Sequence, residues 1–136
     1  MRGAVLKNAD LARCVLVKAE LSSCDLEEAD LTLADLGQSN LQGASLIRAT
    51  LVGASLVRAN LARAELSSAN LHNANFYQAN LTGAHLEGAR LTGADLAGAT
   101  LEDVLLTDVV YDARTRWPEG FDPGPHGAAC RLEDEA

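Results

Sequence analysis

The side chains able to do chemistry are spaced badly for it. His72, His85 and His126 are the three histidines. A metal needs ligands that converge at recognisable spacings, and these three offer none. Cys14, Cys24 and Cys130 are an odd set without CxxC spacing, which argues against a disulfide framework and a zinc site. Ser and Thr are frequent, but none stands with His and a carboxylate at triad spacing. The glycines of "LTGADLAGATL" form neither G-x-x-x-x-G-K-[ST] nor G-x-G-x-x-G. No catalytic, metal or cofactor-binding residue is assigned. The one dense charged group is Glu20, Asp25, Glu27, Glu28, Asp30 and Asp35, followed by Arg48, Arg58 and Arg63. Glu27, Glu28 and Asp30 are its candidate docking patch, against the plainer reading of a solvated face.

Composition narrows the partners. A net charge of −8 disfavours direct nucleic-acid binding, whose affinity comes from Lys and Arg. No stretch reaches the ~20 apolar residues of a membrane span. The start, "MRGAVLKNADLARC", lacks the apolar run of a signal peptide, so a cytoplasmic chain is expected.

The elements that must position these groups follow a period of five. In "ANLTGAHLEGARLTGADLAGATL" a leucine returns every five residues, two after an alanine. Five fits neither a helical turn nor strand alternation alone. Written A-x-L-x-x, the third slot falls at 21 positions from Leu6 to Leu106, and Phe76 alone is not Leu. The first slot is Ala except at Cys14, Cys24, Ser39 and Val104. The other slots are mostly polar. A-x-L therefore reads as a three-residue strand with its ends inward, and the last two residues turn the chain. Ala34, Leu36, Ala54, Leu56, Phe76 and Leu96 are thus core. Seven glycines, with Asn8 and Asn73, occupy the fifth slot, the third residue of a type II turn, where φ > 0. Corners with Arg, Gln or Glu there are expected to use other turns.

"NADLA", "EADLT", "QSNLQ", "RANLA", "SANLH", "QANLT" and "GADLA" closely resemble the pentapeptide-repeat motif A-(D/N)-L-x-x, and the resemblance covers residues 2–111. It implies an all-β fold, a right-handed quadrilateral parallel β-helix (a solenoid) of about 22 units, four per coil, roughly 25 Å long. One unit alone cannot repay the ordering of its five residues, so stability must come from stacked coils. The segment "YDARTRWPEGFDP" resembles a tail that follows the repeats in bacterial family members. Residues 112–127 are expected to form an irregular cap, with Trp117 and Phe121 over the last coil, and residues 128–136 a frayed acidic end.

Residues 20 apart should stack on one wall. Asn40, Asn60 and Asn80 then suggest a ladder of mutual side-chain hydrogen bonds. Val15, Val17, Val57 and Tyr77 suggest an apolar contact patch. The repeat begins almost at Met1, so this edge is expected either to stack on a second copy or to continue into a longer parent chain, and a head-to-head homodimer through the N-terminal coil is the favoured expectation. A non-enzymatic scaffold that binds another protein is the leading functional reading. The resemblance also implies an alternative, a DNA-mimicking inhibitor of DNA gyrase. The bases Arg48, Arg58, Arg63 and Arg90 interrupt the negative strip that mimicry would need.

Overall fold

The computed structural model describes residues 1–131. Parallel bridges join residues 20 apart, from Val5↔Asp25 to Arg90↔Val110, so each coil has four walls of five residues. The hydrogen bonding repeats with the same period. The second-slot N–H donates back to a first-slot carbonyl, as Asp25 to Ala4 at 2.9 Å. The third-slot N–H donates forward, as Leu6 to Asp25 at 2.7 Å, and the fifth slot does likewise, as Asn8 to Glu27 at 2.9 Å. The strands are short, but their polar groups are paired with the neighbouring coils.

Each corner from Met1 to Val109 is closed by a bond from the next first-slot N–H to the third-slot carbonyl, as Ala9 to Leu6 at 3.0 Å. The fifth slot has positive φ at every position from Gly3 to Asp108. The expectation that corners with Arg, Gln or Glu use other turns is therefore corrected. Glu28 (φ 61°), Gln38 (φ 57°) and Arg58 (φ 58°) take the same conformation as glycine. Stacking on identical corners above and below over-determines this backbone, whatever the side chain prefers. Glycine serves a second purpose at Gly93, where a Cβ would stand 2.1 Å from the Asn73 Oδ1 folded over it.

The interior is a column of Leu and Ala. Ala34, Leu36, Ala54, Leu56, Phe76 and Leu96 are all buried in it. Ser39 shares the column at 1% exposure, and its hydroxyl has no partner.

The two ends differ. In the first coil Leu6, Leu11, Leu16, Ala4, Ala9, Cys14 and Ala19 are only partly covered. At the other end the register slips by one residue. Arg116 bridges Asp95, 21 positions away. Trp117 and Phe121 pack against the interior cluster. Their rings continue a stack: Tyr111 meets Trp117 edge-on at 5.3 Å, Trp117 lies on Phe121 at 5.5 Å, and Phe121 on His126 at 5.0 Å. Strand β1 (Val110–Tyr111) then pairs in parallel with β2 (Ala129–Cys130). The expected frayed end, 128–136, is corrected at Ala129 and Cys130. Ala129 N–H donates to Val109 and Arg131 N–H to Tyr111, each at 2.7 Å, so the backbone supplies one more rung. Residues 132–136 of that expected end lie outside the described residues.

Candidate interaction surfaces

The outward second slot is where Asp and Asn concentrate, and the corner explains why. The fourth-slot N–H has no partner in the ladder, and a side-chain oxygen two residues earlier accepts it. Asp25 serves Glu27, Asp30 serves Thr32 and Asp35 serves Gly37, each at 3.0 Å. This Asx geometry closes the turn and occupies the carboxylate or amide. The expected Asn ladder is corrected by the same rule. Asn40, Asn60 and Asn80 accept from Gln42, Ala62 and Thr82 at 3.0–3.1 Å instead of bonding one another. Along that wall only Asn40 reaches a neighbour, donating Nδ2–H to Glu20 at 3.0 Å.

The acidic side chains Glu27, Glu28 and Asp30 are partly engaged. Glu27 and Glu28 sit at one corner beneath Arg48, whose Nη2 lies 2.5 Å from Glu27 and 3.6 Å from Glu28. Asp30, on the adjoining wall, also accepts the Thr32 hydroxyl at 2.6 Å. That hydroxyl and the Thr32 N–H hold its carboxyl below the usual carboxylate range. Residues 21–40 still carry five acids and no base. On the wall of Leu16, Leu36, Leu56 and Phe76, Val15, Val17 and Tyr77 are exposed and Val57 is half-buried.

Two groups escaped sequence reasoning. The first is Asp112 with Thr115, both buried where the register slips. Asp112 Oδ1 accepts from Gly93 N–H at 3.0 Å and Arg114 N–H at 3.1 Å, and Arg114 Nη2 lies 2.9 Å from Oδ2. Thr115 donates its hydroxyl to the Leu91 carbonyl at 2.8 Å. Burial pushes the Asp112 carboxyl up, but the Gly93 N–H and the Arg114 donors outweigh it and hold the pKa at about 2. Only the closing segment's departure from the repeat phase signals this lock in the sequence. The second is a ring of cations. Arg2, Lys7, Arg13 and Lys18 place one base at each corner of the first coil. Among the described residues none of the four is in an ion pair.

The histidines do not converge. His72 Nδ1 meets Thr92 Oγ1 at 2.7 Å, His85 lies 3.4 Å from Glu87, and His126 is stacked on Phe121. No group of three metal-ligating side chains occurs among the described residues.

Comparison with known proteins settles the family. The family model described as "Pentapeptide repeats (8 copies)" matches residues 1–38, 39–78 and 69–108. The chain belongs to the pentapeptide-repeat family. Among solved structures it is similar to alr5209, a pentapeptide repeat protein from Nostoc Pcc 7120. Identity is 36% over 75% of this chain and 84% of that one, with a TM-score of 0.74. It is also similar to Rfr23, a pentapeptide repeat protein from the cyanobacterium Cyanothece 51142. There identity is 31% over 85% of this chain and 89% of the other, with a TM-score of 0.51. No curated protein matches. Membership makes this solenoid a right-handed β-helix. Among the described residues no helix is long and apolar enough to cross a membrane.

Proposed function

We propose that this pentapeptide-repeat protein is a non-enzymatic, cytoplasmic scaffold that binds another protein through the side chains its coils display. About 22 units, closed by a cap over 112–127 with Trp117 and Phe121 at its centre, make the scaffold rigid. The observation that carries the reading is the charge of residues 21–40, with five acids and no base. Asp25, Asp30 and Asp35 are tied into turns, so the part of the patch held by Arg48 alone is Glu27 and Glu28, with Asp30 beside them. Docking a basic partner exchanges the Arg48 pairs, exposed at Glu28 and half-exposed at Glu27, for intermolecular ones, and pairs open to solvent are weak enough to be exchanged. The test is an affinity capture from the native cell with the wild type and a Glu27→Gln, Glu28→Gln, Asp30→Asn variant. Loss of the same captured protein from the variant alone supports the patch, and unchanged capture rejects it.

The alternative is mimicry of duplex DNA toward gyrase. Its support is the acidic rod and the family resemblance. Arg58 and Arg63 follow the acidic coil, and Arg58 donates to Gln78 at 2.9 Å, which breaks the negative strip. Gyrase supercoiling unaffected by a large molar excess of protein would reject it. A homodimer through the first coil is a separate reading, supported by the partly covered leucines there and opposed by the cation ring.

A further inference from the structure

We infer that the outer face of the first coil is a docking site for an acidic protein segment in extended conformation. This surface is distinct from the acidic patch, and the inference stands without it. Three features of the face select the occupant. Its centre is apolar, with Leu6, Leu11 and Leu16 partly covered. Its edge is an unpaired ladder. The N–H groups of Val5, Asp10, Val15 and Glu20 have no partner among the described residues. The carbonyls of the same four residues and those of Arg2, Lys7, Ala12 and Val17 have none either. Its corners are the four unpaired cations.

The acids on this coil offset the ring only in part: two carboxylates stand against four cations, and Glu20 feels the charge of Arg2. Asp10 accepts from Ala12 N–H at 3.2 Å, and Glu20 is turned toward the second coil by Asn40 Nδ2 at 3.0 Å. A second copy is disfavoured, because face-to-face stacking sets one cation ring against another. Phosphate, whether of a duplex or a lipid headgroup, matches the ring but brings no N–H donors for a carbonyl-rich edge. An extended peptide brings N–H and C=O together, adds a rung to one wall and places its acids near the corners at that wall's two ends.

The probe is a short fluorescent peptide of alternating Glu and Val, compared with its Lys-Val counterpart by anisotropy. The acidic peptide should bind this chain at least about ten-fold more tightly, and binding should weaken as salt screens the corners. Arg2→Gln, Lys7→Gln, Arg13→Asn and Lys18→Asn together should remove that preference. An Arg58→Gln, Arg63→Gln variant should keep it. Circular dichroism of each variant checks the fold. Amide NMR supplies a second reading without substitution: the Val5, Asp10, Val15 and Glu20 resonances should shift most on adding peptide. Several results would overturn the inference: equal binding of the two peptides, shifts centred on other coils, equal loss in the control variant, a concentration-dependent dimer in sedimentation, or tighter binding to duplex DNA or anionic vesicles.

Discussion

The two ends of this solenoid solve one problem in opposite ways. Each terminal coil has one face that no other repeat coil covers among the described residues. At the C-terminal end the chain breaks phase, buries Asp112 and Thr115, stacks three aromatic rings and His126, and adds a rung through Ala129. At the N-terminal end the repeat stays in phase, and among the described residues the rim carries charge at its corners. Apolar closure is permanent, whereas a charged rim keeps an edge soluble and selective. Identical repeats therefore differ in energetic weight with their distance from each end, and that gradient can be measured.

The largest effect should come from placing a charge in the column. Leu56 is fully buried, and Leu56→Asp should prevent folding, because nothing in the column can pair the carboxylate. Leu6→Asp, at the open end, should fold and lose less than about 2 kcal/mol. Urea unfolding followed by circular dichroism measures both. Equal losses would erase the difference between centre and open end.

Next is the lock at the closed end. The Asp112 pKa is about 2 in the folded chain, below the ordinary carboxylate value, so its stabilisation is fully present above the unfolded pKa. It is lost as pH falls through the folded pKa, which sets a window from about pH 4 down to about pH 2. The contribution is on the order of 2 kcal/mol. Asp112→Asn should remove it near neutral pH. The gap between variant and wild type should close as the solution is acidified across that window. A constant gap at all pH values would assign the loss to packing instead.

A smaller effect of opposite sign is expected mid-rod. Ser39 holds a buried hydroxyl without a partner in a slot built for Ala. Ser39→Ala should raise stability by about 1 kcal/mol, read as a higher urea midpoint at unchanged slope. A loss would mean that the hydroxyl is bonded in solution.

The pattern in the sequence was legible where one residue type meets one environment throughout. Leu at the third slot and small residues at the first predict the column because inward volume is the same in every coil. Corners were legible only where Gly marked them. Arg13 or Gln38 at positive φ is dictated by neighbouring coils, which a local propensity does not contain. The Asn wall was misread for a related reason. Asn60 has two possible partners, the next Asn and its own turn, and only the geometry of the corner chooses Ala62 N–H. The closing lock was hidden because Asp112 meets Gly93 and Arg114 through a one-residue slip that no repeat pattern announces. The cation ring needed no structure beyond the four-wall register, since one base per corner becomes visible once residues are folded around the coil.

The smallest test uses those corners to compare the open end with the body. Gln38 sits at φ 57° in the second coil and Arg13 at φ 64° in the first. Replacing either by Gly relieves about 1–2 kcal/mol of left-handed strain. It also raises the entropy lost on folding by about 0.5–1 kcal/mol. Where the corner stays folded in every native molecule, relief wins, and Gln38→Gly should gain about 0.5 kcal/mol. At the open end the first coil is held from one side only, and local opening already releases the Arg13 corner. Arg13→Gly should then change the global midpoint little, while hydrogen exchange of the Leu11 and Cys14 amides slows. A gain at Arg13 matching that at Gln38 would show that the first coil is as firmly held as the rest. The charged rim would then have no frayed edge to protect.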